Sequence, residues 1–381
     1  MKQTPIKIVH VFATMNTGGA ESRIMDVYRK INRNDVQFDF IVLDNNRHYY
    51  DSEIRGMGGK KIVVTSPRKN IFKHVYDLYR VFRKNDDYQA VHTHTSYHSG
   101  IVCLIARIAG IKYRVSHART TSTKSHKKIL KKIFISLGRN LIVRNSTSLL
   151  AISKKAGEYV FGKRVVEFGR VRVVPNAIDI EKYMSASKDE NLKEELGITE
   201  GQLIIGQVGR FSFMKNHKFT IKVFKSIIAE GIDAKLILAG DGELRRSIET
   251  LVEKEGLKEQ IVFLGVRNDI PQIMKLLDVL IMPSIYEGLG GVVIEAQAAG
   301  TPCVVSKSLP VEVDMGLNLV KFVSLDQSVE DWKEEIKAQS LLTPTDKYYI
   351  KEKFIKKGML LESEIKDLYQ SYGLHERSVI K

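Results

Sequence analysis

The chain is poor in cysteine: Cys103 and Cys303 are the only two in 381 residues. Each lies in an apolar run (IVCLIA and PCVVS), where a free thiol behaves as a small buried hydrophobe. A disulfide framework and a thiolate zinc site are thereby excluded, which suits a reducing cytosol. No apolar run approaches the roughly 18 residues of a membrane span. The N-terminal stretch MKQTPIKIVHVFATMN has Pro5, Lys7 and His10 where a signal peptide would be continuously apolar. Short internal repeats and low-complexity tracts are also lacking.

What is present is the composition of a soluble globular protein, 43% hydrophobic and 27% charged. The length suits two domains of about 150–200 residues. The net charge of +16 is unevenly placed. Residues 1–178 hold 33 Lys and Arg against 12 Asp and Glu, and the remainder holds 27 against 32. The first half therefore suits an anionic partner, a membrane surface or a nucleic acid, which the second half does not share.

Thirteen short runs rich in Val, Ile and Leu alternate with longer amphipathic stretches. They begin with KIVHVFAT (7–14) and VQFDFIVLD (36–44) and end with PCVVS (302–306) and LVKFVS (319–324). Such runs predict parallel strands covered on both faces, in two doubly wound α/β domains. The polar stretch 183–202 lacks a strand signal and is expected to link them. Ligands of such sheets lie beyond the carboxyl ends of the strands, so the residues that follow each run carry the interest.

After the first run, NTGGAES (16–22) sets Gly18 and Gly19 before a helix, either as an anion site or as a plain tight turn. YQAVHTHTSYHSG (88–100) puts His92 and His94 on one face at a strand end, with His98 opening a helix. A metal site is conceivable there, but no clustered carboxylate or cysteine completes it. His117 stands at the tip of the next run, followed by Arg119; it is either structural or able to orient a hydroxyl. Residues 124–144 carry seven Lys and Arg and no acid. Lys127, Lys128, Lys131 and Lys132 flank a stripe of Leu130, Ile133, Phe134, Leu137 and Leu141. This is a membrane-surface helix or a core-facing helix with a solvated basic face.

In the second half, GRFSFMKNH (209–217) spaces Arg210 and Lys215 so that both could neutralise a diphosphate. AGDGE (239–243) places Gly240 and Gly242 in a turn with room for a ligand. YEGLGGVVIEAQAAGTP (286–302) carries Glu287 on a loop of Gly288, Leu289, Gly290 and Gly291. A helix is predicted from near Val292 to Gly300, with Glu295 in its first turn.

The order of the G-G loop, strand-end histidine, VVPNAID (173–179), GRFSFMKNH, AGDGE and E-x7-E with EAQAAGTP resembles retaining glycosyltransferases of family 4. More narrowly, it resembles bacterial capsular and exopolysaccharide enzymes. The resemblance implies a GT-B fold, two Rossmann-like domains facing a cleft: an acceptor domain over 1–180, a nucleotide-sugar domain over 181–360, and a C-terminal helix over 361–381 returning to the first. It also implies that a helical stretch, 353–373, makes that return.

It implies a nucleoside diphosphate sugar, favoured as UDP-linked, as donor substrate, with no cofactor and no metal; the absence of any Asp-x-Asp agrees. Arg210 and Lys215 would hold the diphosphate, Glu295 the ribose and Glu287 the sugar. Gly288–Gly291, Gly240, Gly242, Asn176 and Arg267 would line the donor site, and Gly18 and Gly19 would close over it. His117 would stand near the anomeric centre, with His94 and Arg119 on the acceptor and membrane side. Leu289 occupies a position where many of that family have Phe, a change at the sugar pocket.

The expected activity is transfer of a hexose or N-acetylhexosamine to a glycan or lipid-linked glycan, in the cytoplasm, peripherally on the anionic inner face of the membrane. The competing possibilities are a sugar-nucleotide epimerase of the same fold, which would need no acceptor, and a basic nucleic-acid-binding protein, disfavoured because the aromatic interleaving of a stacking platform is missing.

Overall fold

The computed structural model describes residues 4–84, 87–120, 129–342 and 345–374, with the side chains of all but 129–134. The chain divides into two compact units, Met1–Ile178 with Gly358–Lys381, and Asp179–Lys357. Each is built on one parallel sheet.

In the first unit the strands are β1 (Ile6–Val11), β2 (Val36–Val42), β3 (Lys61–Val63), β4 (Tyr88–Thr93), β5 (Tyr113–Ala118), β6 (Ser148–Ala151) and β7 (Val171–Val173), ordered 3-2-1-4-5-6-7. In the second they are β8 (Leu203–Val208), β9 (Ala234–Ala239), β10 (Ile261–Gly265), β11 (Val279–Met282), β12 (Cys303–Ser306) and β13 (Val320–Val323), ordered 10-9-8-11-12-13. Every apolar run of the sequence overlaps one of these strands. Both orders reverse at the first strand of the sheet, between β1 and β4 and between β8 and β11, so each unit has a switch point where ligands of open α/β sheets bind.

The strands bury both faces because helices cover both sides. Phe38, Phe40, Tyr28 and Ile24 form one layer of the first unit, and Val91, Val102, Leu78 and Phe82 the other. In the second unit Leu236, Leu238, Ile221 and Phe224 pack with Trp332, whose indole donates to the Ser324 carbonyl at 3.0 Å. Polar caps start several helices: Ser153 accepts from the Ala156 amide, and Ser328 with Asp331 forms a reciprocal capping box. Cys103 and Cys303 are free and buried.

Two segments differ from the sequence expectation. Residues 183–202 carry no strand, but they are packed rather than a loose link. Asp189 caps a helix over Glu190–Glu195, and Leu192 and Leu196 are buried. The stretch 353–373 is two helices, Lys347–Lys356 and Leu361–Ser371, broken around Gly358 at φ +64°. The second packs Leu361, Ile365, Leu368, Tyr369 and Tyr372 into the core of the first unit. Among the described residues, no helix is long and apolar enough to cross a membrane.

Candidate functional site

The switch point of the second unit brings two predicted residues together. The chain leaves β8 at Gly209 and turns through Phe213–Lys215, while the chain leaving β11 runs through Ser284 to Glu287. The two loops are stitched by backbone and side chain: Ile285 N–H donates to the Met214 carbonyl at 2.8 Å, and Asn216 Nδ2 to the Pro283 carbonyl at 3.1 Å. Asn216 takes the left-handed conformation that this turn requires, φ +55°. Lys215 Nζ then lies 2.6 Å from Glu287 Oε1, which also accepts from Ser284 Oγ at 2.9 Å. Behind them Gln207 Nε2 donates to the Lys215 carbonyl and is itself oriented by Thr220. An ion pair with side chains 17% and 13% exposed, held from both sides by strand-end loops, is a pre-organised site for a group carrying both an anion and hydroxyls.

The glycines nearby have a reason in the backbone. A Cβ on Gly240 would lie 2.1 Å from the Gly209 carbonyl oxygen, and one on Gly242 would lie 2.5 Å from that of Phe211. The loops after β8 and β9 zip together there, so the space beside those glycines is filled by chain and not by a void. Gly290, at φ +84°, leads into the helix Gly291–Ala299, which Gly300 closes at φ +78°. Glu295 is the fifth residue of that helix, one step past the first turn where the sequence put it, and only 8% exposed. Leu289 is buried; a Cβ on Gly288 would meet open space.

Arg210 does not join Lys215. Its guanidinium pairs with Glu243 at 3.1 Å, because the loop after β9 lies beside the loop after β8. Arg267 follows the edge strand β10 and is committed to Asp269 and Glu195.

The switch point of the first unit is a cluster of imidazoles. The register pairs His10 of β1 with His92 of β4, and His94 and His117 follow from β4 and β5. Burial pushes the pKa of all four well below the ordinary histidine value, and the Arg119 cation pushes the same way. All four are therefore neutral imidazoles at neutral pH. Arg119 Nε donates to His94 Nδ1 at 3.0 Å, so the His94 proton sits on Nε2 and is donated to His10 Nδ1 at 3.2 Å. Arg119 also donates to Asn176 Oδ1 at 2.5 Å and faces Glu364 Oε1 at 3.9 Å. Glu364 accepts from the Ala177 amide, and burial raises its pKa to about 7.

The second chain of bonds starts at Tyr372. Its hydroxyl lies 2.7 Å from His92 Nδ1, and His92 Nε2 lies 3.2 Å from His117 Nδ1. If the phenol donates, His117 carries its proton on Nε2; if it accepts, Nε2 is a bare acceptor. The tautomer of His117, whose Nε2 is itself buried, is thus tied to Tyr372.

Ligand atoms of His10, His92 and His94 could converge on one ion. The hydrogen-bond polarity opposes it: His94 Nδ1 accepts from a guanidinium, so its Nε2 is protonated and has no lone pair for a metal.

Of His94 and Arg119, expected on the acceptor and membrane side, His94 is half-buried at the end of β4. The Arg119 side chain is 4% exposed, because three strand ends close around it. Gly18 caps the helix Gly19–Lys30 with the Glu21 carboxylate folded against it, and open space surrounds a Cβ on Gly19. Lys127 and Lys128 lie outside the described residues, as do the side chains of Lys131 and Lys132. The helix Ile129–Asn145 sets Gly138 against Tyr97, with a close approach at Gly100, and exposes Leu137. The sequence reading missed His10, Ser284, Glu364 and Tyr372. Only His10 had a local signal, a polar residue inside an apolar strand run.

Residues 17–182 match the Glycosyltransferase Family 4 description, and residues 188–353 match Glycosyl transferases group 1. The chain is 36% identical over 377 residues to EpsF of Bacillus subtilis, itself assigned as a glycosyltransferase, with 98% of each chain covered. It is 27% identical over 314 residues to the UDP-Gal:alpha-D-GlcNAc-diphosphoundecaprenol alpha-1,3-galactosyltransferase of Escherichia coli, covering 80% of this chain and 81% of that one. The crystal structure of Anabaena HepE with UDP and glucose superposes with a TM-score of 0.77 at 18% identity, covering 97% of this chain and 99% of that one, which is a likeness of fold.

Proposed function

The chain belongs to the glycosyltransferases of GT-B fold, a family 4 domain followed by a group 1 domain, and from that premise we propose that it transfers a hexose or N-acetylhexosamine from a UDP-sugar to a lipid-linked glycan, with retention of configuration. The observation that carries this is the Lys215–Glu287 pair at the switch point of the second unit. Lys215 would neutralise the diphosphate as negative charge grows on the leaving oxygen. Glu287 would then exchange its ammonium partner for a sugar hydroxyl, and Glu295 would accept from the ribose. His117, neutral, would orient hydroxyls near the anomeric carbon rather than carry charge. The E. coli relative's named substrates, a UDP-sugar and an undecaprenol-linked acceptor, support the choice of donor and acceptor and, with them, a place in polysaccharide assembly at the inner face of the membrane.

The test is incubation with individual UDP-sugars and an undecaprenyl-diphosphate-linked monosaccharide. Mass spectrometry should show one added sugar, and the anomeric proton coupling should match the donor's configuration. An inverted anomer would refute retention. Conversion of the donor to its epimer without acceptor would replace the transferase by the epimerase.

A further inference from the structure

The helix Ile71–Lys84, between β3 and β4, has two faces of opposite character. His74, Asp77, Leu78 and Phe82 are buried against the first unit. Turned away from them, Phe72, Tyr76 and Tyr79 are 85%, 62% and 40% exposed. At about 100° per residue, the spacing i, i+4, i+7 puts these three rings on one line along the helix. Lys73, Arg80 and Lys84 flank the rings, Arg83 continues their line, and Arg68 and Lys69 precede the helix; all six cations are exposed. None of them has an ion pair among the described residues. The one acid of the segment, Asp77, points inward and accepts from the Thr65 amide and hydroxyl at 3.0 and 2.6 Å. The neighbouring helix Ser99–Ile108 packs alongside and ends in exposed Arg107 and Ile108.

Single exposed apolar residues are ordinary, but a line of three aromatics with six exposed cations around it and no exposed acid from Arg68 to Lys84 is not. Rings at the headgroup level with lysines and arginines beside them are the composition of a helix lying in an anionic lipid interface.

We propose that this face docks the protein on an anionic lipid leaflet, with Phe72, Tyr76 and Tyr79 inserted and the flanking cations against headgroup phosphates. The proposal deepens the lipid-linked acceptor, on whose chemistry it rests, and moves the docking element away from residues 124–144.

The test is flotation of the full chain with phosphatidylcholine vesicles, with and without phosphatidylglycerol, at low and high salt. The wild type should float with the anionic vesicles and less so at high salt. Phe72→Ser, Tyr76→Ser and Tyr79→Ser together should lower the bound fraction at least about 10-fold. Lys73→Glu, Arg80→Glu and Lys84→Glu together should remove the preference for anionic lipid. Lys131→Glu with Lys132→Glu should float as the wild type does. All variants should keep the wild-type thermal transition and transfer to a water-soluble acceptor. Wild type that fails to float, an aromatic variant that floats normally, or loss confined to the Lys131/Lys132 variant would each overturn the proposal. Loss of transfer to soluble acceptor by the wild type would instead sink the enzymatic assignment and leave flotation standing.

Discussion

The two units share one strand order around their switch points, 3-2-1-4-5-6 counted within each sheet, yet they fill those points with opposite chemistry. In the second unit the edge is an ion pair on glycine-bordered loops, Lys215 with Glu287, part open to solvent. In the first it is four neutral imidazoles, three of them buried, around a buried guanidinium. Topology therefore fixes where a ligand goes, and the strand-end residues decide what it must be. A charged pair that can change partners suits a diphosphate. A packed network of neutral imidazoles linked by hydrogen bonds suits the orientation of hydroxyls.

The comparison can be broken first at Tyr372. Tyr372→Phe keeps the ring against His92 and removes only the hydroxyl that sets the His92–His117 polarity. We expect kcat to fall about 10-fold with the donor KM nearly unchanged, as for a positioning group acting through general acid–base geometry. Long-range 15N–1H correlation of the histidine rings should show a changed His117 tautomer. An unchanged tautomer would show that Tyr372 only packs; a changed tautomer with full kcat would remove His117 from the reaction.

A smaller effect tests the buried charge. The Glu364 carboxyl titrates at about 7 in the fold because burial raises it, so the folded state binds its proton more tightly than the unfolded chain. The stability it contributes is present below the ordinary carboxylate range and is lost as pH rises through about 7. Glu364→Gln keeps an acceptor for Ala177 and should flatten stability against pH over that window, by about 1–3 kcal/mol. Chemical denaturation from pH 5 to 8 reads the difference; parallel curves for the two proteins would mean that Glu364 stays ionised.

Much of the fold was legible because its signals are local. Each strand lies in a short run rich in Val, Ile and Leu, and Gly209, Gly240 and Pro283-Ser284 mark the ends of β8, β9 and β11. The Lys215–Glu287 encounter was legible only through the topology, which makes β8 and β11 neighbours across seventy residues. The Arg210–Glu243 pair was hidden for the same reason: β9 also borders β8, and its loop supplies Glu243. Tyr372 and Glu364 were out of reach, since they enter the first unit from a helix more than 180 residues beyond β7, with nothing in LYQSYG to announce a partner for His92. The exposed aromatic face of the helix Ile71–Lys84 was overlooked because its aromatics lie on both sides, Phe82 inward and Phe72 outward, which blurs the period in the sequence.

The central claim is that nucleotide binding belongs to the charged edge of the second unit and not to the imidazole edge of the first. Calorimetric titration of UDP into wild type, Lys215→Ala and His117→Ala tests it directly. Loss of one charge-assisted contact should weaken UDP about 10–100-fold in Lys215→Ala. His117→Ala should bind UDP within about 3-fold of wild type while losing sugar transfer. Wild-type affinity in Lys215→Ala, with UDP binding lost in His117→Ala, would contradict the account.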